Sequence, residues 1–201
     1  MKKVYLIPSR GARPNNYWYP WVKSTMEQSG FAMTILELPD PDKPKKSAWM
    51  KALMPLKDEM DEDTYLVGHS VGCHSTLRLL DALPSGRMIG GAVLAGGWVS
   101  VPNWNGRSEA EKAVLNDWMT PPLVLSNVVG KSKNITAIFS DDDEFVPREN
   151  WAACEKELKA QVIVKHRFGH FEANDLCELP EVTNAILGMS NGTFPSRPFP
   201  L

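Results

Sequence analysis

The sequence predicts an α/β fold, a mostly parallel sheet of about six strands with helices on both faces. Two observations carry this expectation. Short, almost wholly apolar runs alternate with longer stretches of helical periodicity, and strands apolar throughout are those covered on both sides. The chain of 201 residues with 43% hydrophobic content is also long enough to bury one full core, so 1–201 reads as a single domain.

The elements follow in order. A first strand is expected near Val4–Ile7, stopped by Pro8, and a helix near Tyr19–Ser29 that closes at Gly30. A second strand is read at Ala32–Glu37, followed by a helix at Ser47–Met60 with Ser47 as its N-cap. The run Thr64–Val67 predicts a buried strand, Val71–Ala82 a helix and Ile89–Ala95 another strand. Asn134–Phe139 and Val162–His166 complete the strands, with helices at Arg148–Lys159, opened by Pro147, and at Leu179–Gly188. Residues 96–133 break the alternation. This segment holds Trp98, Trp104 and Trp118 and the pair Pro121-Pro122, is long for a connection, and is expected to form an irregular, lid-like insertion over the sheet edge. The tail 191–201, with Pro195, Pro198 and Pro200, is expected to be extended.

Composition narrows the partners. A formal charge of −2 gives no basic excess, so neither nucleic acid nor an anionic membrane is expected as a partner. The odd set Cys73, Cys154 and Cys177 has no metal-ligand spacing and fits reduced thiols. The apolar run after Met1-Lys2-Lys3 is too short for a signal peptide, and no segment has the length of a bilayer span. A cytoplasmic protein without metal or cofactor is therefore expected, its oligomeric state open.

The chemistry centres on Gly68-His69-Ser70-Val71-Gly72, set between the strand Thr64–Val67 and the following helix. This is the pattern of a nucleophile elbow. A strand turning sharply into a helix strains its central residue, and the flanking glycines leave room for the close approach of neighbouring backbone. Ser70 would then stand above the carboxyl edge of the sheet, in front of a helix N-terminus whose N–H groups favour a developing oxyanion. An acid and a base follow in the order serine, acid, histidine. The acid lies in Ser140-Asp141-Asp142-Asp143 after the fifth strand; Asp143 is preferred because Asp-x-x-Val-Pro is similar to the acid loop of many α/β-hydrolases, with Asp141 and Asp142 as alternatives. His170, just past the last strand, is the expected base; His166 is expected to face solvent and His69 to pack within the elbow.

Two backbone donors are expected to form the oxyanion hole: the N–H of Val71, and that of Ser9 or Arg10 in the loop after the first strand. No His-Gly-Gly-Gly run occurs there. Trp98, Trp104 and Trp118 are expected to contact substrate, whereas Trp21 and Trp49 fall in amphipathic helices and are expected in the core.

Together these motifs, with Tyr17-Trp18-Tyr19-Pro20-Trp21-Val22 and Leu38-Pro39-Asp40-Pro41, resemble the retinoblastoma-binding protein 9 and YdeN family of small α/β-hydrolases over residues 1 to about 188. The resemblance implies a three-layer α/β-hydrolase sandwich with Ser70, Asp143 and His170 as a triad acting on activated esters and amides. The Leu-x-Cys-x-Glu motif behind the family's name is absent around all three cysteines, so a retinoblastoma-type partner is not implied. The expected function is hydrolysis of a small carboxylic ester or amide through an acyl-enzyme. The alternative is a binding protein that keeps the scaffold with little turnover.

Overall fold

The computed structural model describes residues 1–99 and 105–194. Strands β1 (Lys3–Ile7), β2 (Ala32–Ile35), β3 (Thr64–His69), β4 (Gly91–Ala95), β5 (Ile135–Ser140) and β6 (Gln161–Lys165) form one parallel sheet in the order β2-β1-β3-β4-β5-β6. β3, β4 and β5 are buried at every residue, which is why they read as continuous apolar runs.

Side chains alternate between two cores. Leu66, Ala92, Leu94, Ala137 and Phe139 face helices α2 (Lys46–Leu53), α3 (Val71–Asp81) and α5 (Glu149–Lys156). Val4, Leu6, Val67, Val93 and Ile138 face α1 (Tyr19–Gln28) and α6 (Pro180–Asn191). The strand order reverses direction between β1 and β3, and open α/β sheets bind ligands in the crevice outside the strand ends at that point. The loops after β1 and β3 are those expected to carry the oxyanion donor and Ser70.

Several local expectations are corrected. The second helix stops at Leu53 and tightens into a 3-10 turn at Met54–Asp58, because Pro55 lacks an N–H and its ring crowds the preceding turn. Lys45, not Ser47, occupies the N-cap position, and no side chain caps that end. The sixth helix runs on to Asn191. Helix α1 does end as expected: the amides of Gly30 and Phe31 bond back to the carbonyls of Glu27 and Met26.

The larger correction lies in the segment expected to be irregular, which contains a regular helix, α4 (Glu109–Met119). Ser108 and Glu111 form a reciprocal capping box, a signature already present in Ser108-Glu109-Ala110-Glu111. α4 buries Leu115 and Trp118. The Trp118 ring meets Trp49 edge to face at 5.7 Å and its indole N–H donates to the Pro44 carbonyl at 2.9 Å, docking α4 against α2. Among the described residues no helix is long and apolar enough to cross a membrane. The tail expectation for 195–201 lies outside the described residues.

Candidate active site

β3 delivers Ser70 into a strained conformation, φ 53° and ψ −118°, before α3 begins. The surrounding geometry requires both glycines of the pentapeptide. A Cβ on Gly72 would lie 2.1 Å from the Ile7 carbonyl oxygen on neighbouring β1, and one on Gly68 would lie 2.6 Å from the Gly72 oxygen. The Ser70 amide is tied to the end of β4 through the Ala95 carbonyl at 2.9 Å.

The expected acid and base meet at this serine. His170 Nε2 lies 2.8 Å from Ser70 Oγ, and His170 Nδ1 lies 2.8 Å from Asp143 Oδ2. A carboxylate only accepts, so Nδ1 carries the proton and Nε2 accepts from the Ser70 hydroxyl. The other Asp143 oxygen accepts the amides of Phe145 at 2.8 Å and Val146 at 3.2 Å, which fixes the carboxylate. The three side chains come from the ends of β3, β5 and β6.

The two neighbouring acids point elsewhere. Asp141 accepts the Arg167 amide at 3.0 Å and lies 2.6 Å from His166 Nδ1, and Asp142 accepts the Gly169 amide at 2.8 Å. The Ser140 hydroxyl accepts the Phe168 amide at 2.9 Å and donates to Asp142 at 2.6 Å. These bonds hold both carboxyl groups below the ordinary aspartate range. They brace the backbone of the loop that presents His170. His166 is exposed, as the sequence predicts.

On the oxyanion side, the Ser9 amide donates to the Tyr19 hydroxyl at 3.0 Å, and Ser9 is fully buried. Its N–H is therefore spoken for, which leaves Arg10 of the two expected donors. Val71 heads α3, so its N–H has no intrahelical acceptor. Ser70, Val71, His170 and Arg10 line one cavity of about 360 Å³.

Trp98 also lines this cavity, as expected, but Trp118 does not: its packing against Trp49 places it in the core. Trp104 lies outside the described residues. The remaining walls include Phe145, Val114, Arg107, Glu111, Asp42 and Glu172, residues that the sequence reading missed. The Phe145 ring meets His170 edge to face at 4.9 Å, and the Arg107 guanidinium lies 4.2 Å over the same ring. No residue type marks these positions in advance; they converge only through the segments after β2, β4, β5 and β6. Among the described residues no group of three or more His, Cys, Asp or Glu side chains is disposed to hold a metal ion.

Two further histidines are fully buried. Burial lowers His69 to about 4, and burial together with the nearby Arg78 and Lys46 charges lowers His74 to about 3. Both are neutral in the folded chain and take up protons on unfolding. Stability is therefore unaffected above the ordinary histidine range and falls as pH drops from about 6.5 toward 4, by about 3 kcal/mol for each imidazole. Urea unfolding at pH 7.5 and at pH 4.5 is expected to show a clearly lower midpoint at the acidic pH; equal midpoints would contradict the buried neutral state. Cys73, behind the elbow, lies 3.2 Å from the Gly68 carbonyl, and burial pushes its thiol up, so it is an inert core group.

A serine lifted on a strained turn between strand and helix, at the carboxyl edge of a parallel sheet covered on both faces, defines an α/β-hydrolase of the serine type. A family model described as serine hydrolase matches residues 4–186, and the chain belongs to that family. It is 28% identical over 186 residues to the putative hydrolase YdeN of Bacillus subtilis (strain 168), covering 92% of this chain and 94% of that protein. It is 24% identical over 188 residues to the serine hydrolase RBBP9 of Rattus norvegicus, covering 92% and 95%. The solved structure of the B. subtilis ydeN gene product superposes with a TM-score of 0.85 at 26% identity, over 95% of this chain and 100% of that one. Est1E of Butyrivibrio proteoclasticus, solved with ferulic acid bound, shares the fold with a TM-score of 0.71 at 16% identity, over 96% and 89%. The chain is thus a hydrolase.

Proposed function

We propose that this hydrolase cleaves a small carboxylic ester through an acyl-enzyme on Ser70, with His170 as general base and Asp143 as its orienting acid. The observation that carries the reading is the unbroken relay from Ser70 Oγ through both nitrogens of His170 to Asp143, each link 2.8 Å. Ser70 Oγ attacks the carbonyl carbon while its proton passes to His170 Nε2, and Asp143 stabilises the imidazolium. The carbonyl oxygen, now anionic, takes the N–H groups of Val71 and Arg10, each donor worth about 10²- to 10³-fold in rate. The imidazolium returns its proton to the departing alkoxide; water then repeats the cycle on the acyl-enzyme and frees Ser70. An ester is favoured over an amide because an alkoxide leaves more readily than an amine.

The cavity sets the substrate class. At about 360 Å³ it lies at the small end of ligand sites, with Val71, Trp98, Val114 and Phe145 as apolar walls for a short acyl chain. The segment carrying α4 acts as the lid of a single domain, contributing Arg107, Glu111 and Val114. One observation favours a second reading, an α-aminoacyl ester or amide. The Glu172 carboxylate lines the cavity and makes no direct hydrogen bond or ion pair among the described residues; the Arg107 charge acts on it from the same wall, and its oxygens are open to a substrate ammonium.

Comparison of p-nitrophenyl acetate, butyrate and dodecanoate with an aminoacyl p-nitrophenyl ester tests both readings. kcat/KM is expected to fall steeply at dodecanoate, and a rate that rises with chain length would contradict the small cavity. Glu172→Gln is expected to lower the ratio of aminoacyl to butyryl ester turnover about tenfold if the second reading holds. An unchanged ratio removes it. Absence of turnover on every ester would favour the binding-protein alternative.

A further inference from the structure

We propose that Tyr19 and His69 form a buried positioning device that locks the oxyanion-side loop to the loop carrying the general base. This rests on the reading of Ser70, His170 and Asp143 as catalytic residues and adds two positioning residues to it. The device is a series of three hydrogen bonds. The Ser9 amide donates to the Tyr19 hydroxyl at 3.0 Å, the hydroxyl lies 2.7 Å from His69 Nδ1, and His69 Nε2 lies 2.9 Å from the backbone carbonyl of His170.

The chemistry of the end groups fixes its direction. A carbonyl only accepts, so His69 Nε2 carries the proton. In a neutral imidazole Nδ1 is then a lone pair, and the Tyr19 hydroxyl must donate to it while its oxygen accepts from Ser9. Full burial keeps His69 neutral, so this arrangement is the single one in which every group is satisfied. The His170 carbonyl thereby fixes the His69 tautomer, and Tyr19 supplies the donor that satisfies Nδ1 and ties the ring to Ser9.

The loops at the two ends need such a tie. β1 and β6 are separated by three strands, so no ladder bond joins the loops that follow them. The base loop carries Gly169 and Phe171 at φ 54° and 60°, a backbone path that requires outside support. Asp141, Asp142 and Ser140 hold it from the acid side. From the opposite side it is held by His69 on the His170 carbonyl and by the Trp18 indole on the Phe171 carbonyl at 3.2 Å. An apolar residue would fill the site of His69 equally well if packing were its whole role. Instead the polar series runs from the residue beside the Arg10 donor to the backbone of the base itself.

Removing the Tyr19 hydroxyl orphans both the Ser9 amide and His69 Nδ1, and leaves the His69 ring, and through it the His170 carbonyl, without its anchor on the oxyanion side. The reacting groups then lose alignment while the cavity walls stay in place, which lowers kcat and spares KM.

The test uses the full chain, p-nitrophenyl butyrate and a fluorophosphonate probe, with circular dichroism to show that each variant is folded. Labelling of the wild type at Ser70 examines the catalytic reading separately; no labelling there defeats that reading rather than the positioning device alone. Tyr19→Phe, isosteric with the native ring, is expected to lower kcat about tenfold with KM within about twofold. His69→Gln keeps an N–H donor for the His170 carbonyl and is expected to retain about tenfold more activity than His69→Leu, a rescue that packing alone would not produce. In the His69→Leu background Tyr19→Phe is expected to cost less than in the wild type, since the acceptor of its hydroxyl is already gone. The proposal is overturned if folded Tyr19→Phe keeps the wild-type kcat, or if the Gln and Leu variants at 69 are equally impaired.

Discussion

Asp143→Asn is expected to lower kcat on an activated ester by about 10⁴-fold while leaving KM and the fold nearly unchanged. The Asp143 oxygen that accepts the Phe145 and Val146 amides is retained by an asparagine carbonyl, so the turn survives. The other oxygen becomes an NH₂ group, which cannot accept from His170 Nδ1–H. The imidazole then shifts to the Nε2–H tautomer, in which Nε2 faces Ser70 as a donor and no longer as a base. Asp141→Asn and Asp142→Asn are the controls. Both side chains hold backbone amides of the base loop and neither touches the His170 ring, so each is expected to cost about tenfold or less. Steady-state kinetics on the three variants decides among the acids, and a larger loss at 141 or 142 than at 143 would reverse the assignment.

The features legible in the sequence are those fixed by local steric rules. Gly68 and Gly72 announce the elbow because backbone on β1 and α3 leaves no room for a Cβ, and the buried strands β3, β4 and β5 show as unbroken apolar runs. The order of serine, acid and histidine follows from the strand order and is equally visible. At two places a local signal is present but outweighed: tryptophans and prolines surround the capping box at Ser108 and Glu111, and Pro55 sits within an otherwise helical pattern. Trp118 differs from expectation for another reason. Whether a tryptophan faces substrate or core depends on its partner, here Trp49, and that packing is set by the docking of α4.

What no local rule can supply is the convergence of distant loops. The run Asp141-Asp142-Asp143 reads as one acidic turn, yet its first two members brace the base loop and its third meets the base, a division made only when β5 and β6 pair. Likewise His69 and Tyr19 lie 50 residues apart and bond across the switch point of the sheet. The sequence leaves the Ser9 amide open as an oxyanion donor, and only the fold commits it to Tyr19.

The second large effect is expected at Ser70, the proposed nucleophile. Alanine at position 70 removes the attacking oxygen but keeps a small side chain at a backbone position already strained with serine, so the elbow and fold are retained. kcat is expected to drop by about 10⁶-fold, to the background left by oxyanion stabilisation and binding. A fluorophosphonate reports this step directly, since its phosphorus is attacked by the activated serine oxygen with loss of fluoride. Mass measurement of the intact chain after reaction, with mapping of the modified peptide, is the most direct test. The account predicts one phosphonyl adduct on the wild-type chain, located on Ser70, and none on Ser70→Ala. An unmodified wild type, or an adduct that persists on Ser70→Ala, would contradict it.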